Sequence, residues 1–168
     1  MVITKTHKDL KDVLMEPKAP GIKDAYYIIP EVEQNITILS PGKNGMEFNK
    51  THGHFHRSYT VELFTCVLGQ GLMILQRNDE EGEAKEFKIV TLNSGKQVTV
   101  PAGFGHTMVN IGRTFLVVSD NSSIAPRASN YKAVKEKRGF AYYIVEKKGD
   151  VAFEPNPNYR VQPQITTE

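Results

Sequence analysis

Five histidines occur in this chain, and four of them fall in two short segments. His52, His54 and His56 lie close together, and His106 ends a Pro-Ala-Gly-Phe-Gly-His run far downstream. Side chains two residues apart on a strand share a face. His54 and His56 therefore point to one side, and His52 is expected to join them. Glu62 offers a carboxylate from the next strand, and His106 a fourth donor from a later one. Three imidazoles and one carboxylate suit a borderline divalent metal such as iron, manganese, nickel or zinc. An ion so held is a Lewis acid for oxygen-bearing substrates. The bland alternative is a group of surface histidines beside a turn.

Donors so far apart in sequence need a frame that brings strands together. Short runs rich in Val, Ile, Thr, Tyr and Phe predict strands over 25–29, 35–40, 52–56, 62–68, 72–77, 86–92, 97–100, 106–111, 114–119, 140–145 and 151–153. Turn signals separate them, among them Pro41-Gly42, Gly69-Gln70-Gly71, Glu81-Gly82 and Asn93-Ser94-Gly95. Helix signals are few. Thr6 is expected to cap a short helix through Leu14, and a second should run from Ser129 to about Lys137, ended by Gly139. Many strands and little helix predict an all-β sandwich or barrel with a few short helices. The mouth of such a barrel is a usual small-molecule site.

At 168 residues the chain is expected to be a single domain, 1–168. Its barrel core should span about 24–154, with a peripheral N-terminal segment. No repeat or linker divides it, and the tail after Pro155, with Pro157 and Pro163, reads as irregular and frayed. A formal net charge of +2 leaves no electrostatic footprint for nucleic acid. Lys132, Lys135, Lys137 and Arg138 read as a solvated helical face, with phosphate steering as a second reading. The lone Cys66 lies in an apolar run and suits a buried, inert thiol in a reducing compartment. No stretch approaches the ~20 apolar residues of a membrane span, and the N-terminus lacks a signal-peptide core. The expectation is a cytoplasmic protein with no membrane partner.

Residues 95 to 110 read Gly-Lys-Gln-Val-Thr-Val-Pro-Ala-Gly-Phe-Gly-His-Thr-Met-Val-Asn. The pattern resembles the second cupin motif, G-x5-P-x-G-x2-H-x3-N, at every defined position. Pro101 and Gly103 should shape the bend that presents His106 inward, and Asn110 should pin the following turn. His54-x-His56-x5-Glu62-x6-Gly69 is similar to the first cupin motif, with a longer gap before the Glu. Thr51-His52-Gly53-His54-Phe55-His56 resembles the T-x-G-H-[FY]-H signature of the cupin-type phosphoglucose isomerase family, found mainly in archaea. Leu39-Ser40-Pro41-Gly42-Lys43, Val109-Asn110-Ile111-Gly112, Asn130-Tyr131 and Gly139-Phe140 extend the likeness from about Ile22 to Tyr159.

This resemblance implies a cupin fold, a double-stranded β-helix or jelly-roll barrel, working as a homodimer on a sugar phosphate. His54, His56, Glu62 and His106 match the family's metal ligands, implying one divalent ion per subunit. Fe2+ is the first expectation, with Mn2+, Ni2+ or Zn2+ open. Thr37, Thr51 and Gly53 match positions that hold the substrate phosphate, Tyr131 matches a tyrosine closing over the sugar, and Tyr26 or Tyr27 adds a further contact. Phe64 stands where relatives often carry tyrosine. The implied reaction interconverts glucose 6-phosphate and fructose 6-phosphate, with Glu62 the candidate base between C1 and C2. A hydride shift between the carbons remains open, as does mannose 6-phosphate as a substrate. The rivals are a cupin dioxygenase, marked by oxygen uptake and a pocket without a phosphate cradle, and a non-catalytic sugar-binding cupin, which normally goes with lost metal ligands.

Overall fold

A computed structural model describes residues 1–56, 61–122 and 129–168. The spacer between His56 and Glu62 in the first motif lies mostly outside the described residues. In chain order the strands are β1 (Ile3–Thr6), β2 (Asp24–Glu31), β3 (Gln34–Leu39), β4 (Lys43–Asn44), β5 (Glu47–Phe48), β6 (His54–His56), β7 (Glu62–Leu68) and β8 (Gln70–Asn78). There follow β9 (Ala84–Asn93), β10 (Gln97–Val100), β11 (Gly105–Asn110), β12 (Leu116–Asp120), β13 (Ser129–Asn130), β14 (Tyr142–Lys147), β15 (Asp150–Pro155) and β16 (Ile165–Thr167). Helix α1 (His7–Leu10) runs into a 3-10 turn at Lys11–Val13, and α2 covers Tyr131–Glu136.

Two six-stranded sheets carry the fold, ordered β1-β2-β3-β12-β7-β10 and β13-β6-β11-β8-β9-β16. Strands far apart in sequence lie side by side in both, as in the jelly roll of a cupin. The hydrophobic core takes Leu39, Phe64, Cys66 and Val118 from the first sheet and Met73, Leu75, Phe87 and Met108 from the second. Every residue of β11 is buried, because the second sheet is covered on its other side too. There Ala141 N–H donates to Gln76 Oε1 at 2.8 Å, and the Phe87 and Tyr142 rings meet edge-on at 4.9 Å. A four-stranded sheet, β15-β14-β5-β4, includes the strand that begins at Tyr142.

Several local expectations hold. Asp9 Oδ2 accepts the Thr6 N–H at 2.8 Å and its hydroxyl at 2.7 Å, securing the start of α1. Gly139, at φ +118°, closes α2 by donating its N–H to Val134 O at 2.9 Å. Asn110 pins its turn: Oδ1 accepts the Gly112 N–H at 3.0 Å, while Nδ2 donates to Leu39 O and Thr114 O. Cys66 is buried in β7.

Three expectations need correction. The tail is not frayed: Ile165–Thr167 adds a parallel edge strand to β9, and the Tyr159 hydroxyl donates to Gly139 O at 3.0 Å. His52 is not part of a strand with His54 and His56. Gly53, at φ +76°, turns the backbone between them, so β6 starts at His54. Lys137 is not a freely solvated lysine, because its ammonium pairs with Glu83 and donates to Asn158 O.

Candidate metal centre and substrate cavity

His54 and His106 face one another across neighbouring strands, as Cα partners of β6 and β11. His56 follows two residues along β6 on the same side, and Glu62 enters from the start of β7 in the opposite sheet. Ring centroids of His54 lie 5.0 Å from His56 and 4.6 Å from His106, and the His56 and His106 rings stack at 5.1 Å. His56 Nε2 is 3.2 Å from His106 Nδ1 and 3.2 Å from Glu62 Oε2. One donor atom from each of the four residues lies within 4.8 Å of all the others.

That spacing fits an ion. Metal–ligand bonds of about 2.1 Å place adjacent donors roughly 3.0 Å apart around a common centre. The electrostatics agree. Burial, then the neighbouring histidines His56 and His52, pushes His54 down to about 3. Burial likewise holds His106 well below the usual histidine range, with His54 and His56 adding to it. Both rings are neutral near pH 7 and offer lone pairs. Glu62 meets no lysine or arginine among the described residues, only His56. A divalent cation is the group that satisfies one carboxylate among three imidazoles, two of which, His54 and His106, burial keeps from protonating.

The centre sits in a cavity of about 250 Å³. Its wall includes Thr37, Thr51, Gly53 and Tyr131, so the residues matched to phosphate and sugar contacts come together with three of the four donors, His54, Glu62 and His106. Thr37 is buried on the inner face of β3. Thr51 is more committed: its hydroxyl accepts the Met108 N–H at 3.0 Å and lies 3.0 Å from the Thr107 hydroxyl. Gly53 N–H finds no acceptor among the described residues. Tyr131, 45% exposed at the start of α2, leans over the mouth with its ring 5.2 Å from His54 and 5.3 Å from His52. Tyr26, not Tyr27, lines the cavity, and its hydroxyl accepts the His52 N–H at 3.4 Å. Burial pushes the Tyr26 phenol up. Phe64 packs its ring 4.9 Å from that of His106.

Residues that sequence patterns did not single out also reach the cavity. Lys5 enters from β1 beside Tyr26, and Asn35, Asp120 and Ser122 enter from the other end of the same sheet. Only the strand pairings reveal which face these residues occupy.

A jelly roll with three histidines and one glutamate converging inside it defines a cupin whose centre could hold a metal ion. Residues 5–161 match the family model described as Glucose-6-phosphate isomerase (GPI). The glucose-6-phosphate isomerase of Pyrococcus furiosus is 32% identical over 156 residues, covering 88% of this chain and 77% of that one. That of Thermococcus onnurineus is 35% identical over 169 residues, covering 90% and 84%. The chain belongs to the glucose-6-phosphate isomerase family.

Proposed function

We propose that this chain is a metal-dependent aldose–ketose isomerase interconverting glucose 6-phosphate and fructose 6-phosphate. The observation that carries the reading is the convergence of His54, His56, Glu62 and His106 in a cavity whose wall also offers anion-binding groups. Those four residues would hold one divalent ion, with Fe2+ the first to test against Mn2+, Ni2+ and Zn2+. When bound, the ion supplies Lewis-acid stabilisation of negative charge developing on the sugar oxygens.

The remaining work falls to the chain's own groups. The Thr37 hydroxyl and the Gly53 N–H donate to the phosphate, and Thr51 joins by exchanging its bond to Thr107. Lys5, the one lysine or arginine lining the cavity among the described residues, supplies charge against a group that is near −2 at pH 7. Anchoring the phosphate orients the reacting carbons. Glu62 turns Oε2 toward His56, leaving Oε1 to carry a proton between C1 and C2. Tyr131 closes the mouth over the sugar and reduces access of water.

Among the described residues no helix is long and apolar enough to cross a membrane. We place the enzyme in the cytoplasm as a single cupin unit that pairs with a second copy. Tyr27, Ile38, Val117 and Leu68 lie side by side on the outer face of the first sheet, Leu68 being 54% exposed. That apolar row is the surface we assign to the dimer.

A coupled spectrophotometric assay with fructose 6-phosphate, run with and without a chelator, tests the reading. Metal-dependent formation of glucose 6-phosphate is the expected result. His54→Ala and His106→Ala should lose bound metal and turnover together. Full activity in a metal-free variant would refute the centre, and oxygen uptake in place of isomerisation would favour a dioxygenase.

A further inference from the structure

An isomerase acting on open-chain sugar needs its ring opened, because hexose phosphates rest mainly as closed rings. Ring opening moves two protons, one onto the ring oxygen and one off the anomeric hydroxyl. Within the cavity, His54, His106 and Glu62 are assigned to the ion and to the carbon-bound proton. Lys5 faces the phosphate, and Tyr26 is already engaged with His52. One carboxyl in the cavity is left without a task.

That group is Asp120, at the end of β12, 8% exposed and a Cα partner of Phe64 on β7. Glu62 lies two residues further along β7 on the same face. Asp120 Oδ1 is fully occupied: it accepts Asn35 Nδ2–H at 3.0 Å, Ser122 N–H at 2.9 Å and the Ser122 hydroxyl. The other oxygen, Oδ2, has no partner among the described residues. Asn35 Oδ1 has none either, and unlike Asp120 Oδ2 it is fully buried. A buried acceptor left unpaired is costly unless a ligand or water meets it, and Asp120 Oδ2 beside it is open to the cavity. Burial raises the Asp120 pKa against the hydrogen bonds from Ser122 and Asn35. Lys5, the cation on the same inner face, stands two register steps away, beside Tyr26.

We propose that Asp120 is a catalytic acid for ring opening, with Asn35 Oδ1 receiving a sugar hydroxyl beside it. The assignment rests on the isomerase reading above. Asp120 Oδ2–H gives its proton to the ring oxygen as the bond from that oxygen to the anomeric carbon breaks. The electron pair of the broken bond stays on the oxygen. The anomeric hydroxyl releases its proton to water at the cavity mouth, and its O–H electrons become the second bond of the new carbonyl. Solvent then restores the Asp120 proton, so the step consumes no co-reactant.

The test compares fructose 6-phosphate with 5-deoxyfructose 6-phosphate, which lacks the ring oxygen and stays open-chain. In metal-loaded enzyme, Asp120→Asn should lower kcat/KM for fructose 6-phosphate by about 10- to 10³-fold, the range for a lost general acid when spontaneous opening sets a floor. The open-chain substrate should change less than about threefold. Asparagine keeps Oδ1 for Asn35 and Ser122, so the cluster is retained. Equal losses on both substrates, or no loss on the ring form, would overturn the assignment. In the wild-type enzyme the ratio of the two kcat/KM values should fall as pH rises and deprotonates Asp120, and a flat ratio would also overturn it. Wild-type enzyme that turns over the open-chain substrate supports the isomerase reading whatever Asp120 does; turnover of neither substrate removes both.

Discussion

Replacing Gly53 with alanine perturbs the centre through the backbone, and its cost divides into two parts. Gly53 adopts φ +76° between His52 and His54. Holding a residue with a Cβ in that left-handed region costs about 1–2 kcal/mol. The new Cβ would also stand 2.5 Å from Phe140 Cε2, 3.1 Å from His106 O and 3.1 Å from Thr107 Cβ. Phe140 is buried and packs against Phe55 with ring centroids 5.6 Å apart, so it has little room to yield. Overpacking of this kind adds about 1–3 kcal/mol. Together the losses come to about 2–5 kcal/mol, or a Tm lower by roughly 4–20 °C for a chain of this length. Gly103 is the control: at φ +80° with nothing within 4 Å of a Cβ, it carries the conformational cost alone. Gly103→Ala should therefore lower Tm by only about 2–8 °C. Scanning calorimetry on both metal-free variants reads the difference. Because the clash includes the carbonyl of His106, metal content should also fall in Gly53→Ala and not in Gly103→Ala. Equal Tm losses with equal metal content would refute the argument that close packing, beyond the backbone angle, demands glycine at 53.

Glu62→Gln should cut turnover by at least ~10²-fold in the coupled assay, the scale of a lost general base; near-normal rates would remove Glu62 from catalysis. Lys5→Met should raise KM for fructose 6-phosphate by about 10- to 100-fold with little change in kcat, since a charge-assisted bond contributes ~1.5–3 kcal/mol. Inorganic phosphate should inhibit that variant more weakly than wild type, and unchanged inhibition would dismiss the contact. Lys50→Met should destabilise the fold by about 3–5 kcal/mol in urea titrations, because Glu47 would stay buried without its ion-pair partner. Lys50 also donates to Val13 O at 2.6 Å, so the N-terminal segment should loosen first, visible as faster amide exchange there. Acid should weaken the metal-free protein. An unfolded chain protonates His54 near pH 6.5, whereas the folded protein does so only at about 3, so stability is full above pH 6.5 and is lost as pH falls toward 3. At pH 5 the loss from His54 alone is about 2 kcal/mol, and denaturation midpoints that stay level from pH 7 to 5 would contradict its neutral state.

Alternation and turn residues made most of the jelly roll legible, and the two histidine motifs named the four side chains that the fold brings together. What stayed hidden depended on strand pairing and on which face turned inward. β16 joins β9 with Ile165 opposite Phe87, and no local pattern announces a partner so distant. His52 illustrates a different failure: the period-two rule holds only while the backbone stays extended, and the positive φ of Gly53 interrupts it. β3 is the most telling element. Its buried face carries Asn35 and Thr37 as well as Leu39, while Ile36 and Ile38 look outward. A reading by hydrophobicity alone would put the two isoleucines in the core and reverse the strand. The inverted order makes sense only if the inner face borders a polar cavity and the outer face has a use of its own. Asn35 and Thr37 then belong to the cavity wall, where the proposed sugar phosphate would meet them, and Ile38 to the row with Tyr27, Val117 and Leu68. A strand whose polar residues point inward while its isoleucines face out marks two surfaces at once, a polar cavity wall and an apolar outer row.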